Sequence, residues 1–164
     1  MKNFEVQSQA IIMCGISGSG KTHYAHQLEE EGYTRLSLDA LIWEKAGAEL
    51  FCMPKEDQKR LFAECRLEFR SQFIKLLESD KKIVVDATYC KRSVRDEIRK
   101  ICKERNIRPL FIYCYADKDE LWNRLSKRKG TGPDDLIVTR EELSEYWKGF
   151  ERPQEDETDF IVLK

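Results

Sequence analysis

The chain has 164 residues, enough for one domain with a full hydrophobic core. It is 41% hydrophobic and 36% charged, and its charges nearly cancel to a formal net -1. The basic excess of a dedicated duplex-binding protein is therefore missing.

Residues Ala10 to Cys14 (AIIMC) are a short, continuously apolar run of the kind a buried parallel strand needs. The glycine-rich GISGSG follows, then KTHYAHQLEEE, which reads as a helix closing at Gly32. Residues 33–38 (YTRLSL) alternate as a second strand that ends at Asp39. A short helix is expected from Ala40, burying Leu41 and Trp43, before a loop around Gly47 and Pro54. Lys55 to Asp80 is plainly helical, with Leu61, Cys65, Phe69 and Phe73 on one stripe. KKIVVDAT gives a third strand terminating in Asp86. Helix is expected from Lys91 to Asn106, a strand in PLFIYCYA, and helix from Lys118 to about Arg128. KGTGPDD is a loop dense in turn residues. Thr139 with Glu142 forms a capping box for a helix reaching Phe150, whose Leu143, Tyr146, Trp147 and Phe150 read as core contacts more readily than as a substrate platform. The tail ERPQEDETD is acidic and irregular, and FIVL makes a last strand.

Strands alternating with crossover-length helices predict an α/β fold, a parallel sheet covered on both faces. No linker divides the chain, so one domain spanning 1–164 is expected. None of the six cysteines forms a C-x-x-C pair and only two histidines exist, which sets a zinc site aside and favours reduced, structural thiols. No signal-type stretch opens the chain, and no apolar run approaches the roughly 18 residues of a membrane span. A cytoplasmic location is expected, with no membrane and no obligate protein partner.

Gly15-Ile16-Ser17-Gly18-Ser19-Gly20-Lys21-Thr22 satisfies G-x-x-x-x-G-K-[ST] in full. The glycines let the backbone turn tightly and approach phosphates closely. Successive amides then point inward at the start of a helix whose dipole favours negative charge. Gly15, Ser17, Gly18, Ser19, Gly20, Lys21 and Thr22 are the expected phosphate-binding set, with Lys21 on the β- and γ-phosphates and Thr22 on magnesium. ATP with Mg2+ is the expected nucleotide, since no N-K-x-D guanine-reading sequence occurs.

A kinase acting on a hydroxyl needs a group to orient and deprotonate it. Asp39, at the expected end of the second strand, lies where ligands bind a parallel sheet, although an Asp there also suits a helix cap. Asp86 ends IVVD and could hold magnesium, directly or through water, or orient Thr22; a turn or cap role is the plainer alternative. Arg124 and Arg128 are spaced to share one helix face before the KGTGPDD loop. They could meet the γ-phosphate or simply be a charged helix end. A glycine-containing loop flanked by arginines suits a closing lid, at about 124–138.

GISGSGKT, Asp39, VVDATYCKRSVRDEI and NRLSKRKGTG together resemble the P-loop kinases grouped with phage-type polynucleotide kinase, and also the zeta-toxin and chloramphenicol phosphotransferase kinases. The resemblance implies a three-layer αβα sandwich of about five strands in order 2-3-1-4-5, with a lid folding over ATP. It implies that Asp39 acts on the acceptor hydroxyl, that Arg124 and Arg128 engage the transferring phosphate, and that Asp86 is the Asp of the D-x-T-N segment, with Thr88 following. The chain departs from the family twice. Tyr89 stands where Asn is common, and Ile42 stands where phage-type polynucleotide kinases carry a basic residue that helps hold the acceptor's phosphate. Lys59, Lys91, Arg92 and Arg95 could supply a replacement groove. The expected activity is phosphorylation of a small-molecule hydroxyl by ATP. A nucleic-acid 5′-hydroxyl acceptor, or an ATP-dependent switch working through a protein partner, are the alternatives.

Overall fold

The structure, a computed structural model, describes residues 8–164. Five strands form one sheet in the order β2-β3-β1-β4-β5: β1 Ala10–Cys14, β2 Thr34–Ser37, β3 Ile83–Asp86, β4 Leu110–Cys114 and β5 Phe160–Leu163. Every pairing is parallel. β1 lies at the centre and is wholly inaccessible, which is why its sequence is an unbroken apolar run. Its side chains alternate between the two faces. Ala10, Ile12 and Cys14 pack with Cys65, Phe69, Phe73 and Leu77 of α3 (Lys55–Leu77) and with Ile98, Ile101 and Cys102 of α4 (Arg92–Lys103). Ile11 and Met13 pack with Ala25 and Leu28 of α1 (Lys21–Glu30). The sheet is thus the middle layer of three.

The chain order reverses between β3, β1 and β4, so a crevice opens past the carboxyl end of β1, where an open α/β sheet binds ligands. The loop after β1, the ends of β2 and β3, and the segment before α6 (Arg140–Gly149) converge there. The expected capping box is present at α6, with the Thr139 side chain and the Glu142 carboxylate serving each other's amides.

α3 and α4 end three residues before the expected Asp80 and Asn106, and three boundaries nearer the crevice move for local reasons. β2 stops at Ser37, whose hydroxyl accepts from the Ala40 amide at 3.2 Å; Ser37 caps α2 (Leu38–Ala46), and Asp39 sits inside its first turn instead of capping it. Leu41 is buried as expected, while Trp43 is only half-buried beside Phe51. α5 (Lys118–Leu125) ends one turn early, so Arg128 lies beyond it in a tightened turn and does not share a helical face with Arg124. That turn leads to Gly130, at φ +69°, where a Cβ would stand 2.6 Å from the Phe51 ring. The loop is braced from within: Asp135 accepts from the amides of Lys129 and Thr131 and from the Thr131 hydroxyl.

The segment after β3 is a junction of three successive carbonyls. Thr88 accepts from the Gly15 amide at 3.1 Å, Tyr89 from Arg95 Nη1 at 3.2 Å, and Cys90 from the Glu151 amide at 2.8 Å. Tyr89 holds a left-handed backbone, φ 47°, a region asparagine tolerates better; here the buried ring and the bonded carbonyl keep it in place. Among the described residues no helix is long and apolar enough to cross a membrane.

Candidate active site

The phosphate cradle follows β1 directly. Gly15 has φ +147°, and a Cβ there would lie 2.5 Å from the Cys114 carbonyl oxygen and 2.7 Å from Ser19 Oγ, so only glycine fits. Gly20, also at positive φ, precedes α1 without a capping side chain and with no acidic residue in the first turn. The first amides of α1 are therefore left to an anion, at the positive end of the helix. Lys21 is 8% exposed, and its ammonium donates to the Ile16 carbonyl at 3.0 Å. Burial pushes its pKa down, while Asp86 and Asp39 nearby push it back up. A desolvated ammonium beside uncapped amides, in a loop whose Gly15, Gly18 and Gly20 carry no Cβ, fits a polyphosphate.

Asp86 closes β3 and is 5% exposed. Arg35 donates to its Oδ2 twice, from Nε at 3.1 Å and Nη2 at 2.7 Å. Oδ1 receives no hydrogen bond among the described residues. Asp86 and Thr22 line the same cavity of about 650 Å³ as Lys21. A free carboxylate oxygen and a hydroxyl make the hard donor set that suits Mg2+.

A second cavity has a volume of about 540 Å³. Its apolar lining comes from Ile42, Leu50, Phe51, Phe62, Ile137 and Tyr146, and Lys55, Arg66, Lys91, Glu142 and Glu145 line it as well. Both cavities are bordered by Ser17, Asp39, Thr88 and Arg128. Protein crowding around Asp39 pushes its carboxyl pKa up, Lys21 and Arg128 pull it down, and Asp86 and Asp134 push it up further. Its side chain stays open to water in the cleft, which counters part of the upward push. Arg128 donates to the Leu136 carbonyl at 3.1 Å, fixing it to the loop it precedes. Arg124 is exposed, donates to the Gly18 carbonyl at 3.0 Å and pairs with Glu120.

The family model described as AAA domain matches residues 11–153. The chain belongs to the AAA domain family. In fold this AAA domain is similar to a gluconokinase from Sinorhizobium meliloti 1021, at TM-score 0.65 and 22% identity over 93% of this chain and 80% of that one. It is also similar to a shikimate kinase from Acinetobacter baumannii solved with shikimate, at TM-score 0.57 and 18% identity, covering 88% and 76%. A chain of the Pnkp1/Rnl/Hen1 RNA repair complex matches at TM-score 0.68 and 19% identity, covering 90% of this chain and 45% of that one. No curated protein matches in sequence. The domain is a P-loop kinase-like fold with the strand order its resemblance implied.

Of the residues singled out from sequence, the AAA domain brings Ser17, Gly18, Ser19, Gly20, Lys21, Thr22, Asp39, Asp86, Arg124 and Arg128 to one cavity. Gly15 lies just beneath, bonded to Thr88. The four cations do not gather into one groove, and of them only Lys91 lines the second cavity. Arg95 is fully buried and paired with Glu157, Arg92 pairs with Asp96 and Asp156, Lys91 with Glu151, and Lys59 with Glu56. Tyr146, expected mainly as core, is 42% exposed and faces the second cavity. Three neighbours of the cradle escaped the sequence reading: Arg35, His26 and Asp134. A lone arginine inside an otherwise half-apolar strand was the available signal for Arg35.

Proposed function

We propose that this protein is a kinase that transfers the γ-phosphate of ATP to a hydroxyl of a small-molecule acceptor. The observation that carries the reading is the meeting of two cavities at Asp39 and Arg128, one holding the cradle and the other walled by apolar side chains. A volume of about 540 Å³ falls within the range of roughly 300–1,000 Å³ common for small-molecule pockets. The largely apolar walls favour such an acceptor over a nucleic-acid end, as does the pairing of Lys91, Arg92 and Arg95 with carboxylates, while Lys55 and Arg66 also line the cavity.

In this reading the cradle amides and Lys21 hold the β- and γ-phosphates. Thr22 and Asp86 would hold Mg2+, which supplies charge neutralisation on the phosphate oxygens when bound. Asp39 orients the acceptor hydroxyl and takes its proton as the new oxygen–phosphorus bond forms and the bond to the β-phosphate oxygen breaks. A carboxyl whose pKa is pushed up is a better base for that proton than an ordinary aspartate. Arg128, at the junction, faces the charge that spreads over the transferring group, and Arg124 flanks the cradle at Gly18.

A panel of hydroxyl compounds incubated with ATP labelled at the γ-position tests this. A small molecule should gain the label, and Asp39→Asn should lower that transfer by about 10²-fold or more while MgATP affinity changes little. ATP hydrolysis that no acceptor stimulates and that survives Asp39→Asn would sink the proposal in favour of a switch. Labelling of a 5′-hydroxyl oligonucleotide, with affinity falling steeply as salt rises, would replace the small molecule with a nucleic acid.

A further inference from the structure

Five side chains run in a line from α1 to the end of β3. Glu29 Oε2 lies 2.6 Å from His26 Nδ1, and His26 Nε2 lies 2.8 Å from Asp134 Oδ2. Asp134 Oδ1 accepts from Arg35 Nη2 at 2.8 Å, and the same nitrogen reaches Asp86 Oδ2 at 2.7 Å. One guanidinium therefore joins two carboxylates of different standing. Asp86 ends a core strand, and its side chain is 4% exposed. Asp134 belongs to the loop that follows Arg128, and its side chain is 38% exposed. Without a cation between them these two carboxylates would repel. Arg35, with 9% of its side chain exposed, is well placed to hold both with little competition from water.

Arg35 also decides which face of Asp86 is available. By occupying Oδ2 with two donors it leaves Oδ1 for the cavity that Thr22 and Lys21 border. Outer partners of a metal-binding carboxylate commonly fix its orientation in this manner. The Asp135 brace ties Lys129 and Thr131 to the residue next to Asp134, so a hold on Asp134 bears on the segment that fixes Arg128 through Leu136.

We propose that Arg35 is a positioning residue that couples the loop carrying Asp134 to the orientation of Asp86, so that loop docking and presentation of the Asp86 oxygen occur together. The inference rests on the kinase reading for what Asp86 does, but the coupling itself exists in the protein without nucleotide.

Amide hydrogen exchange on nucleotide-free protein, read over residues 129–138, tests the coupling. Arg35→Gln should raise exchange there about tenfold, as should Asp134→Asn from the exposed end of the link, with β1 and α3 unchanged. The double variant should exchange no faster than Asp134→Asn alone, which already loses both the Arg35 and the His26 bonds. Unchanged loop exchange in Asp134→Asn, or strictly additive effects, would overturn the proposal. Because Asp134 is a surface residue, unchanged exchange in that variant overturns the proposal even if Arg35→Gln folds poorly. A second readout is the Mg2+ concentration at half-maximal ATP binding by calorimetry. It should rise about tenfold or more in Arg35→Gln, as when an outer partner of a metal ligand is lost, and an unshifted midpoint would remove Arg35 from Asp86's control. Wild-type protein that binds no ATP with or without Mg2+ would count against the kinase reading, and the exchange data would still decide the coupling.

Discussion

Arg95 and Arg35 each face a buried carboxylate, Glu157 and Asp86, yet one network is saturated and the other is left open. Arg95 gives Nε and Nη2 to the two oxygens of Glu157, at 2.9 and 2.7 Å, and Nη1 to the carbonyls of Tyr89 and Glu151. Glu157 accepts further bonds from Arg99 and from the Gln154 amide, and neither side chain of the Arg95–Glu157 pair is exposed at all. Around Arg35 the carboxylate keeps one oxygen unbonded, and that oxygen borders a cavity. Similar groups in similar burial thus separate into a brace and a site by whether every acceptor is filled. Burial pushes Glu157 up, but its hydrogen bonds outweigh that and hold its pKa at about 2. A depressed carboxyl pKa adds stability that is present above the ordinary 4.5 and is lost as pH falls toward about 2.

The comparison can be broken at either end. The largest effect is expected from Glu157→Ala, which leaves Arg95 buried and unpaired. Urea unfolding should show a loss of about 3–5 kcal/mol, with the cradle residues untouched. A loss under 1 kcal/mol would mean that the buried pair contributes no more than a surface one. Next comes Lys21→Ala, where the sign of the stability change separates site from brace. It removes a desolvated charge, so the melting temperature should hold or rise, while turnover of ATP should fall by about 10²–10³-fold. A sharp drop in melting temperature with turnover preserved would make Lys21 structural.

The smallest effect concerns His26. The hydrogen bond to Asp134 pushes its pKa above the ordinary 6.5, burial opposes this, and Glu29 adds to the rise. A raised pKa contributes stability that is full below 6.5 and fades as pH rises through the folded value. Loop docking should therefore weaken by a few-fold toward alkaline pH, as read by exchange corrected for its intrinsic pH dependence. His26→Gln should flatten the trend. The change is modest because about half of the imidazole is in water.

Much of the site could be read from the chain alone because its signals are local. The cradle is contiguous, and Asp86 ends a short apolar run that reads as a buried strand, so the chain alone puts both at the edge of the sheet where one cavity lies. The core stripe of α3 followed from its spacing for the same reason. What failed were pairings across the chain. Spacing puts Lys91, Arg92 and Arg95 near one another, but it does not say that the acidic tail beginning at Glu151 folds back to neutralise them. Arg35 meets partners 51 and 99 residues away, which no window along the sequence contains. α5 ends before Arg128 although Lys and Arg favour helical termini, and Gly130 lies against Phe51 of another element, with no room for a side chain.

The three carbonyls of Thr88, Tyr89 and Cys90 splice regions that share no secondary structure: the cradle through Gly15, α4 through Arg95, and the acidic tail through Glu151. Two peptide units are thus all that separate the irregular last stretch of the chain from the first glycine of the cradle. Cleavage within that tail, although it lies outside both cavities, would slacken the strand exit on which the cradle is hung.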